Sequence, residues 1–597
     1  MKKGLALLVA LLLVLGTFSV ASAQAAAPAI KEGGTFVCSA YFDPPPALNF
    51  NPCSPSGNPD SNEFTFERLF DYVSVPTPIF RPRMAEAFTT DGNTTTVVLR
   101  DNLKWSDGTP LTSADVKTSY LIRYINTDRV WKYLEKIDTP DAKTVIFTWK
   151  TVSPLCNILL FNQRIEYSTA QYGKWADQAE PFLAQRTYDD TVKEFKNSDD
   201  VNTQLTAIRE DLFAFKPGVD NALFNSSFKA VSANASEIDL DKNEYYWNAA
   251  NVHVDHVRVI AYVSAESLLA NIQAGLYTVE NHGTPPDVYT EIMKIPNLRT
   301  GWLSDLGQPA FNFNMKKAPL DIPEVRKAIN YAVDREALLE IAEPGTMAPD
   351  YTNSGLTPMW HAAVPSDFDK SLTVYNYDPA KAQQLLESIG WTKGADGYYV
   401  DDKGQPVTIE VSSMNSWPIY FICGDAIVNY LDAIGLHATF NAMELSAYWT
   451  YIDQGNSQIN ADFRGGCPRL GPWEAYTNLI IESYDRMGFI TRDDFNNQKN
   501  ITLTMTDGTE VNVSEQINTL FSAPTGSDEY VKATETMMKL FNDQCYFMPI
   551  GEKYMPFRCY DPKFVYPEYT EGNTDWFGTG PNTYSRWLSL GLAYFTE

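Results

Sequence analysis

The stretch from residue 407 to residue 441 constrains the fold most. Val407–Ser412 is a β-branched, strand-like run, Cys423–Ile434 has the length and spacing of a helix, Gly435 is a residue that stops one, and His437–Asn441 is again strand-like. Strand, helix and strand in this order make a β-α-β-like unit, and such alternation predicts α/β lobes. A chain of 597 residues exceeds what one hydrophobic core serves, so two or more lobes are expected.

The rest of the chain adds elements of both kinds. Gly34–Ser39 reads as the first strand and runs into a Pro- and Asn-rich loop over 43–59. Glu63–Val73 is expected to be a short helix, and Thr94–Arg100 and Thr144–Lys150 to pair in one small sheet. Between them a helix starts, with Thr112 as N-cap, Asp115 at N3, and Leu111 and Val116 as a hydrophobic staple. Residues 170–215 are polar with helical spacing and read as helices inserted between sheet elements. Ile238–Leu240 and Val252–Tyr262 look like strands, Ser264–Ala274 like a helix stopped by Gly275, and Phe311–Asn314 like a short strand leading into the second lobe. Asp321, Asp334 and Asp378 are expected to cap helices, the first with Pro323 in its opening turn and Glu324 at N3. Residues 455–530 form a long excursion, and 547–569 return to strand-like character before Trp576 and Trp587.

Lys2 and Lys3, the apolar run Leu5–Val14 and Ala21-Ser22-Ala23 read as a cleavable signal peptide over 1–23, too short to span a membrane. No Cys follows the cleavage site, so a lipid anchor is not expected, and no later stretch reaches the roughly 20 apolar residues of a spanning helix. The expected location is periplasmic or otherwise extracytoplasmic. The formal charge of −27 with no basic cluster argues against nucleic acid and anionic membrane surfaces as partners. Seven Cys leave at least one thiol over; Cys38 with Cys53 and Cys423 with Cys467 are candidate disulfide pairs.

Signatures of catalysis are missing from the sequence. It has no H-E-x-x-H, G-x-S-x-G or P-loop pattern. Asp239-x-Asp241-x-Asn243 begins like a calcium loop but has Glu244 where Gly is needed and Ala250 where Glu is needed. His253-x-x-His256 reads as a surface or structural pair, with no third metal ligand. No enzyme, cofactor or metal is therefore expected; a secreted glycoside hydrolase is a distant alternative, because a carboxylate pair is set by spatial separation. Aromatic residues make up 13% of the chain, an excess that suits a large binding cleft.

Five segments in order carry a resemblance: Met84–Phe88, Val97–Lys117, Asn243-Glu-Tyr-Tyr-Trp247, Pro319–Leu338 and Tyr377–Trp391. With the closing strand region they resemble the family 5 peptide/oligosaccharide-type solute-binding proteins of ABC importers. The resemblance implies an α/β, bilobed clamshell (type II, cluster C) with an extra subdomain in the first lobe. The first lobe would take 24–307, with the subdomain at about 65–215; the second would take 308–546; and 547–597 would return to the first. Hinge segments are expected near 308–314 and 546–551. It also implies reversible ligand capture, docking on membrane permease subunits, no nucleotide site and a monomer.

Two departures bear on the ligand. Peptide-binding members carry an Ala-Asp-Tyr motif whose Asp pairs with the α-amino group, whereas here Gly465–Trp473 puts Arg469 at the matching place. Pro472–Tyr476, Ser416-Trp417-Pro418 and Asn49–Pro52 are similar to segments of oligosaccharide-binding members, which stack sugar rings on Trp. An oligosaccharide is thus expected ahead of an oligopeptide or dipeptide, with nickel chelates and opines further off. The resemblance and the aromatic and polar chemistry nominate Tyr41, Trp417 and Trp473 as stacking platforms and Asn312, Asn314 and Arg469 as hydrogen-bonding groups.

Overall fold

The computed structural model describes residues 29–40, 49–54, 59–73, 79–190, 193–304, 307–464, 470–481, 483–489, 500–570, 573–578 and 580–597. The signal-peptide segment, Tyr41, Cys467 and Arg469 lie outside the described residues.

The small sheet expected of Thr94–Arg100 and Thr144–Lys150 forms. Thr94–Leu99 pairs antiparallel with Thr144–Trp149, and Ala85–Asp91 and Leu134–Asp138 flank them. Val97, Leu99, Val145, Phe147 and Trp149 supply its buried face. The helix Ser113–Ile125 carries the expected capping box, in which Asp115 accepts from the Thr112 amide at 2.8 Å. The polar stretch 170–215 gives the helices Thr169–Ala179 and Asp199–Ala214, together with a small hairpin, Thr187–Asp189 and Glu194–Lys196.

Glu63–Val73 is not one helix. The helix is Pro59–Thr65, and Phe70–Val73 is a strand paired with Ile79–Pro82. Burial decides this. Phe64, Phe66, Leu69, Phe70 and Tyr72 are all inside, so no face is left for a solvated helix stripe. Glu67 is held by Arg83 at 2.7 Å and Asp71 by Arg586 at 2.6 Å. Asp321 also stops short of its expected role: Ile322 holds the cap position and the helix is Pro323–Ala332. Asp334 and Asp378 do cap their helices, accepting from the Ala337 and Lys381 amides at 3.1 and 2.9 Å.

The chain divides between two sets of sheets. In the first set, Phe228–Ala233, Glu237–Lys242, His256–Ala261 and Thr35–Ala40 form a four-stranded sheet, its last pair parallel. Beside it Gly551–Cys559 pairs with Val279–Glu280, Arg299–Ser304 and Met347–Pro349. The second set is a five-stranded sheet in the order His437–Met443, Thr408–Met414, Ile459–Arg464, Gln308–Phe313 and Phe547–Pro549. Phe547–Pro549 thus still belongs to the second sheet, and the return to the first begins at Gly551.

Two large hydrophobic clusters follow this division in part. One, with Phe311, Ile329, Leu338, Val411, Ile427 and Leu431, surrounds the five-stranded sheet. The other fills the first half and continues into residues 470–541, so the long excursion packs against the amino-terminal half. Most of the aromatic excess goes into these interiors, with Trp105, Trp149, Trp175 and Trp587 among the largest fully buried side chains. Trp587 stacks on Tyr566 (centroids 5.7 Å, 13° between planes) and meets Trp576 edge-on at 4.8 Å.

The candidate disulfides do not form as expected. Cys38 and Cys53 are both thiols, and the Cys53 sulfur accepts from Asn126 Nδ2 at 3.6 Å. Cys423 is a buried thiol on the helix Pro418–Ile434. Burial pushes Cys53 and Cys156 up to about 12, which keeps both as unreactive thiols. No helix among the described residues is long and apolar enough to cross a membrane.

Gly435 ends Pro418–Ile434 in a left-handed conformation (φ 97°). A Cβ there would lie 2.9 Å from the Gly397 carbonyl oxygen and 2.8 Å from Lys393 Cε. Gly435→Ala is expected to cost about 1–3 kcal/mol, read as a lowered urea midpoint at unchanged slope. An unchanged midpoint would show that the turn is not strained by a side chain.

Candidate ligand-binding site

The five-stranded sheet gathers its functional end by topology. Thr408–Met414 runs parallel to both His437–Met443 and Ile459–Arg464, so Met414, Met443 and Arg464 end at one edge. Gln308–Phe313 is antiparallel to its neighbours, with Gln308 opposite Arg464 and Ala310 opposite Pro549. Its first residue and the end of Phe547–Pro549 therefore lie at that same edge. Here the chain crosses twice between the sheet sets, and the crossings are bonded to each other: Ile550 N donates to Pro309 O at 2.8 Å and Lys553 N to Gly307 O at 2.9 Å. In open α/β sheets, ligands bind outside the carboxyl ends of parallel strands.

Trp417 follows Met414 by three residues and stands as the N-cap of Pro418–Ile434. Its indole is 36% exposed, 5.8 Å from the Tyr420 ring and 6.3 Å from Trp449. Trp449 arrives by the same logic, on the helix Leu445–Asp453 just after Met443. The Arg486 guanidinium lies 4.9 Å over the Trp449 ring and is fixed by Asp453 and Asp462 at 2.6 and 2.8 Å.

Trp473 lies on the helix Pro472–Tyr476 and is only 4% exposed. Phe521 packs on it at 5.1 Å, and the Arg129 guanidinium stands 5.4 Å from its ring while pairing with Glu474 at 3.2 Å. Arg129 comes from the stretch 129–153, as do Tyr133, 4.4 Å from Phe521, and Ser153, whose hydroxyl donates to the Phe521 carbonyl. The indole is thus part of a contact between the long excursion and that earlier stretch.

The structure does not bring Asn312 and Asn314 to the crossing edge. They follow Gln308 by four and six residues on a strand that starts there, which carries them about 13 and 20 Å along it. Asn312 Nδ2 donates to Asn460 Oδ1 at 3.0 Å inside the sheet. Asn314 ties down the backbone before Ile459–Arg464, donating to Gly455 O and Ser457 O at 3.2 and 3.1 Å. The His253 and His256 side chains go to different carboxylates, Glu32 and Asp241, each through Nδ1. Asp239 and Asp241 sit on a strand facing Arg258 and His256 rather than in a loop.

Glu552 is a feature that sequence reasoning missed. It is 1% exposed on Gly551–Cys559, immediately after the second crossing. Its Oε2 accepts from the Met359 amide at 3.2 Å and the Tyr554 hydroxyl at 3.4 Å. Burial, reinforced by the charge of Asp350, pushes it up to about 7, and the Met359 amide and Thr357 hydroxyl draw it back only in part. The available signal was an acid directly after Gly551 in a run already expected to carry the hinge. That glycine is required, because a Cβ there would collide with the Ala348 carbonyl.

Known proteins give this arrangement its family. Residues 80–466, more than half of the chain, match the model of bacterial extracellular solute-binding proteins, family 5 Middle. The chain belongs to that family, and its fold is the family's bilobed α/β clamshell. It is 25% identical over 378 residues to the nickel-binding periplasmic protein of Escherichia coli K12, covering 59% of this chain and 60% of that one. It is 22% identical over 385 residues to the periplasmic oligopeptide-binding protein OppA of Haemophilus influenzae, covering 61% and 66%. Among solved structures, a mannohexaose-bound oligopeptide ABC transporter periplasmic binding protein of Thermotoga maritima aligns with a TM-score of 0.64 at 16% identity, over 95% of this chain and 99% of that one. The chain spans 55%, 60% and 66% of the length of the first curated relatives it matches.

Proposed function

We propose that the protein is the extracytoplasmic capture component of an ABC importer. It binds a small solute reversibly between two lobes and delivers it to permease subunits in the membrane. One lobe takes residues up to Ser304 and from Gly551 onward, with the extra subdomain at about 65–215; the other takes Gln308–Pro549. The observation that carries this reading is the shared edge, where the carboxyl ends of three parallel strands, two bonded crossings and the Trp417–Trp449 pair come together. Ligand touching both lobes would stabilise the closed form by population shift. The protein acts by binding, and ATP hydrolysis falls to other subunits.

For the solute, we favour a peptide-like molecule. The relatives include an oligopeptide-binding protein, and Trp473, one of the expected sugar platforms, is covered by Phe521 and Arg129. An oligosaccharide is the second reading, supported by the exposed Trp417 ring beside Trp449. Thermal denaturation against pooled peptides and oligosaccharides tests both. A specific ligand raises the melting temperature with concentration and is recovered unchanged. Trp417→Ala is expected to weaken binding about ten-fold, near 1.4 kcal/mol, in a folded protein. Recovery of a cleaved product would overturn the capture reading.

A further inference from the structure

Most buried acids among the described residues are paired with arginine. Glu67 pairs with Arg83, Asp71 with Arg586, Glu166 with Arg123 and Arg164, and Glu280 with Arg558 at 2.7 Å. Each has a guanidinium. Asp115 and Asp350 are buried without one, yet both oxygens of each accept a hydrogen bond, from the Thr112 and Thr169 amides and from Gln308 Nε2 and the Thr352 amide. Glu552 has neither arrangement. Among the described residues no Lys, Arg or His nitrogen lies within 4 Å of it, and its buried Oε1 has no hydrogen bond of good geometry; the Thr357 hydroxyl, which also acts on this carboxyl, carries no charge.

Its neighbours supply no cation. Tyr554 and the Met359 amide both bond to Oε2, and the nearest acid is Asp350, whose own oxygens accept from Gln308 Nε2 at 2.6 Å and from Thr352 at 2.8 Å. Lys553, the next residue, turns to Glu343 at 3.7 Å. Arg335 bonds to Asn330, Asn353 and the Tyr375 carbonyl. The place is also where both lobes meet. Met359, whose amide touches Glu552, packs its side chain on Val73 and Phe577 of the first lobe, and Trp360 lies against Gly471 of the excursion.

We propose that Glu552 is a ligand-recognition group that takes up an ammonium or guanidinium of the captured solute where the lobes close. The inference rests on the capture reading and sharpens it to solutes with a cationic group. Oε1 is the acceptor, and the Oε2 bonds hold the carboxylate in place. In the absence of the solute a proton fills this role, in keeping with the upward shift of the group to about 7. Binding of a cation therefore expels that proton. The solute cation supplies the counter-charge that no Lys, Arg or His among the described residues supplies.

Isothermal titration at pH 7 tests this with tri-lysine, tri-arginine and tri-alanine, N-acetylated and C-amidated tri-alanine, and maltohexaose and cellohexaose as probes. Wild-type protein is expected to bind a cationic probe at least ten-fold more tightly than the uncharged tripeptide, and Glu552→Gln to close that gap. The wild-type titration, repeated in two buffers of different ionisation heat, is expected to release about 0.5 proton per ligand, as a group half-protonated at that pH requires. This second readout does not depend on the variant folding. Equal binding of charged and uncharged probes, or cation binding without proton release, would overturn the Glu552 subsite and leave the capture reading standing. Tight binding of hexasaccharides alone would do the same. Binding of none of the probes would remove the capture of peptide- or sugar-type solutes, and the subsite with it.

Discussion

Arg586→Ala is expected to cost about 3–5 kcal/mol of folding stability, because it strands a buried partner charge. Arg586 binds Asp71 through both nitrogens, at 2.6 and 3.2 Å, and also donates to the Phe577 carbonyl and Asn582 Oδ1 at 2.7 and 3.0 Å. It ties the helix Gly580–Ser589 near the end of the chain to a strand at its beginning. Asp71 is buried, and the Arg586 and Arg83 guanidinium groups hold it below the usual carboxylate range despite burial. Urea denaturation at pH 7 gives the measurement. Changing both partners, Asp71→Leu with Arg586→Met, should recover much of the loss, since removing a buried pair together costs far less than breaking it. A single-variant loss below about 1 kcal/mol would mean that water reaches Asp71.

The second large effect is a pH dependence with the opposite sign to that of most paired acids. Glu552 is raised from 4.5 to about 7 in the folded protein. The native state therefore holds its proton more tightly than the unfolded chain does. Its contribution is fully present below pH 4.5 and is lost as pH rises towards 7, by about 3 kcal/mol in total. Glu280, lowered to about 2 by Arg558 and His282 against its own burial, works the other way: its contribution is present above pH 4.5 and lost as pH falls towards 2. The two windows do not overlap. Ligand-free wild-type and Glu552→Gln should diverge between pH 4.5 and 7, with the variant the more stable at pH 8. Parallel stability curves for the two proteins would show that Glu552 is solvated in solution.

Local signals carried much of the fold. The capping box at Thr112 and Asp115, the Asp334 and Asp378 caps and the Gly435 stop were legible because each needs only neighbouring residues and fixed stereochemistry. The β-α-β-like unit was legible for the same reason, and its strands do pair in parallel. Glu63–Val73 was misread because its acids are buried against Arg83 and Arg586, the latter more than five hundred residues away, so polarity no longer marks a solvated face. The same distance effect governs the site. Whether Asn312 lies at the crossing edge or inside the sheet depends on the direction of the strand it shares with Gln308, and direction is set by partners near 460 and 547. Trp417 and Trp473 have similar local surroundings in sequence, yet one indole is open and the other covered by Phe521 and Arg129. Glu552 has only its place after Gly551 as a local signal; what sets it apart, a buried oxygen with neither a counter-ion nor a well-formed hydrogen bond, is visible only in three dimensions.

The strand Ile30–Lys31 pairs with Tyr594–Thr596, and Gly551–Cys559 completes a sheet with strands some 250 residues earlier. The five-stranded sheet, by contrast, draws all its strands from the stretch 308–549. For a polypeptide that emerges amino end first, the order of assembly is then fixed by where the partners lie. That sheet can pair once Pro549 is out, whereas Val279–Glu280, Arg299–Ser304 and Met347–Pro349 wait for Gly551–Cys559. Non-local pairing of this kind slows folding, so the sheet that needs Gly551–Cys559 meets the larger loop-closure cost of the two.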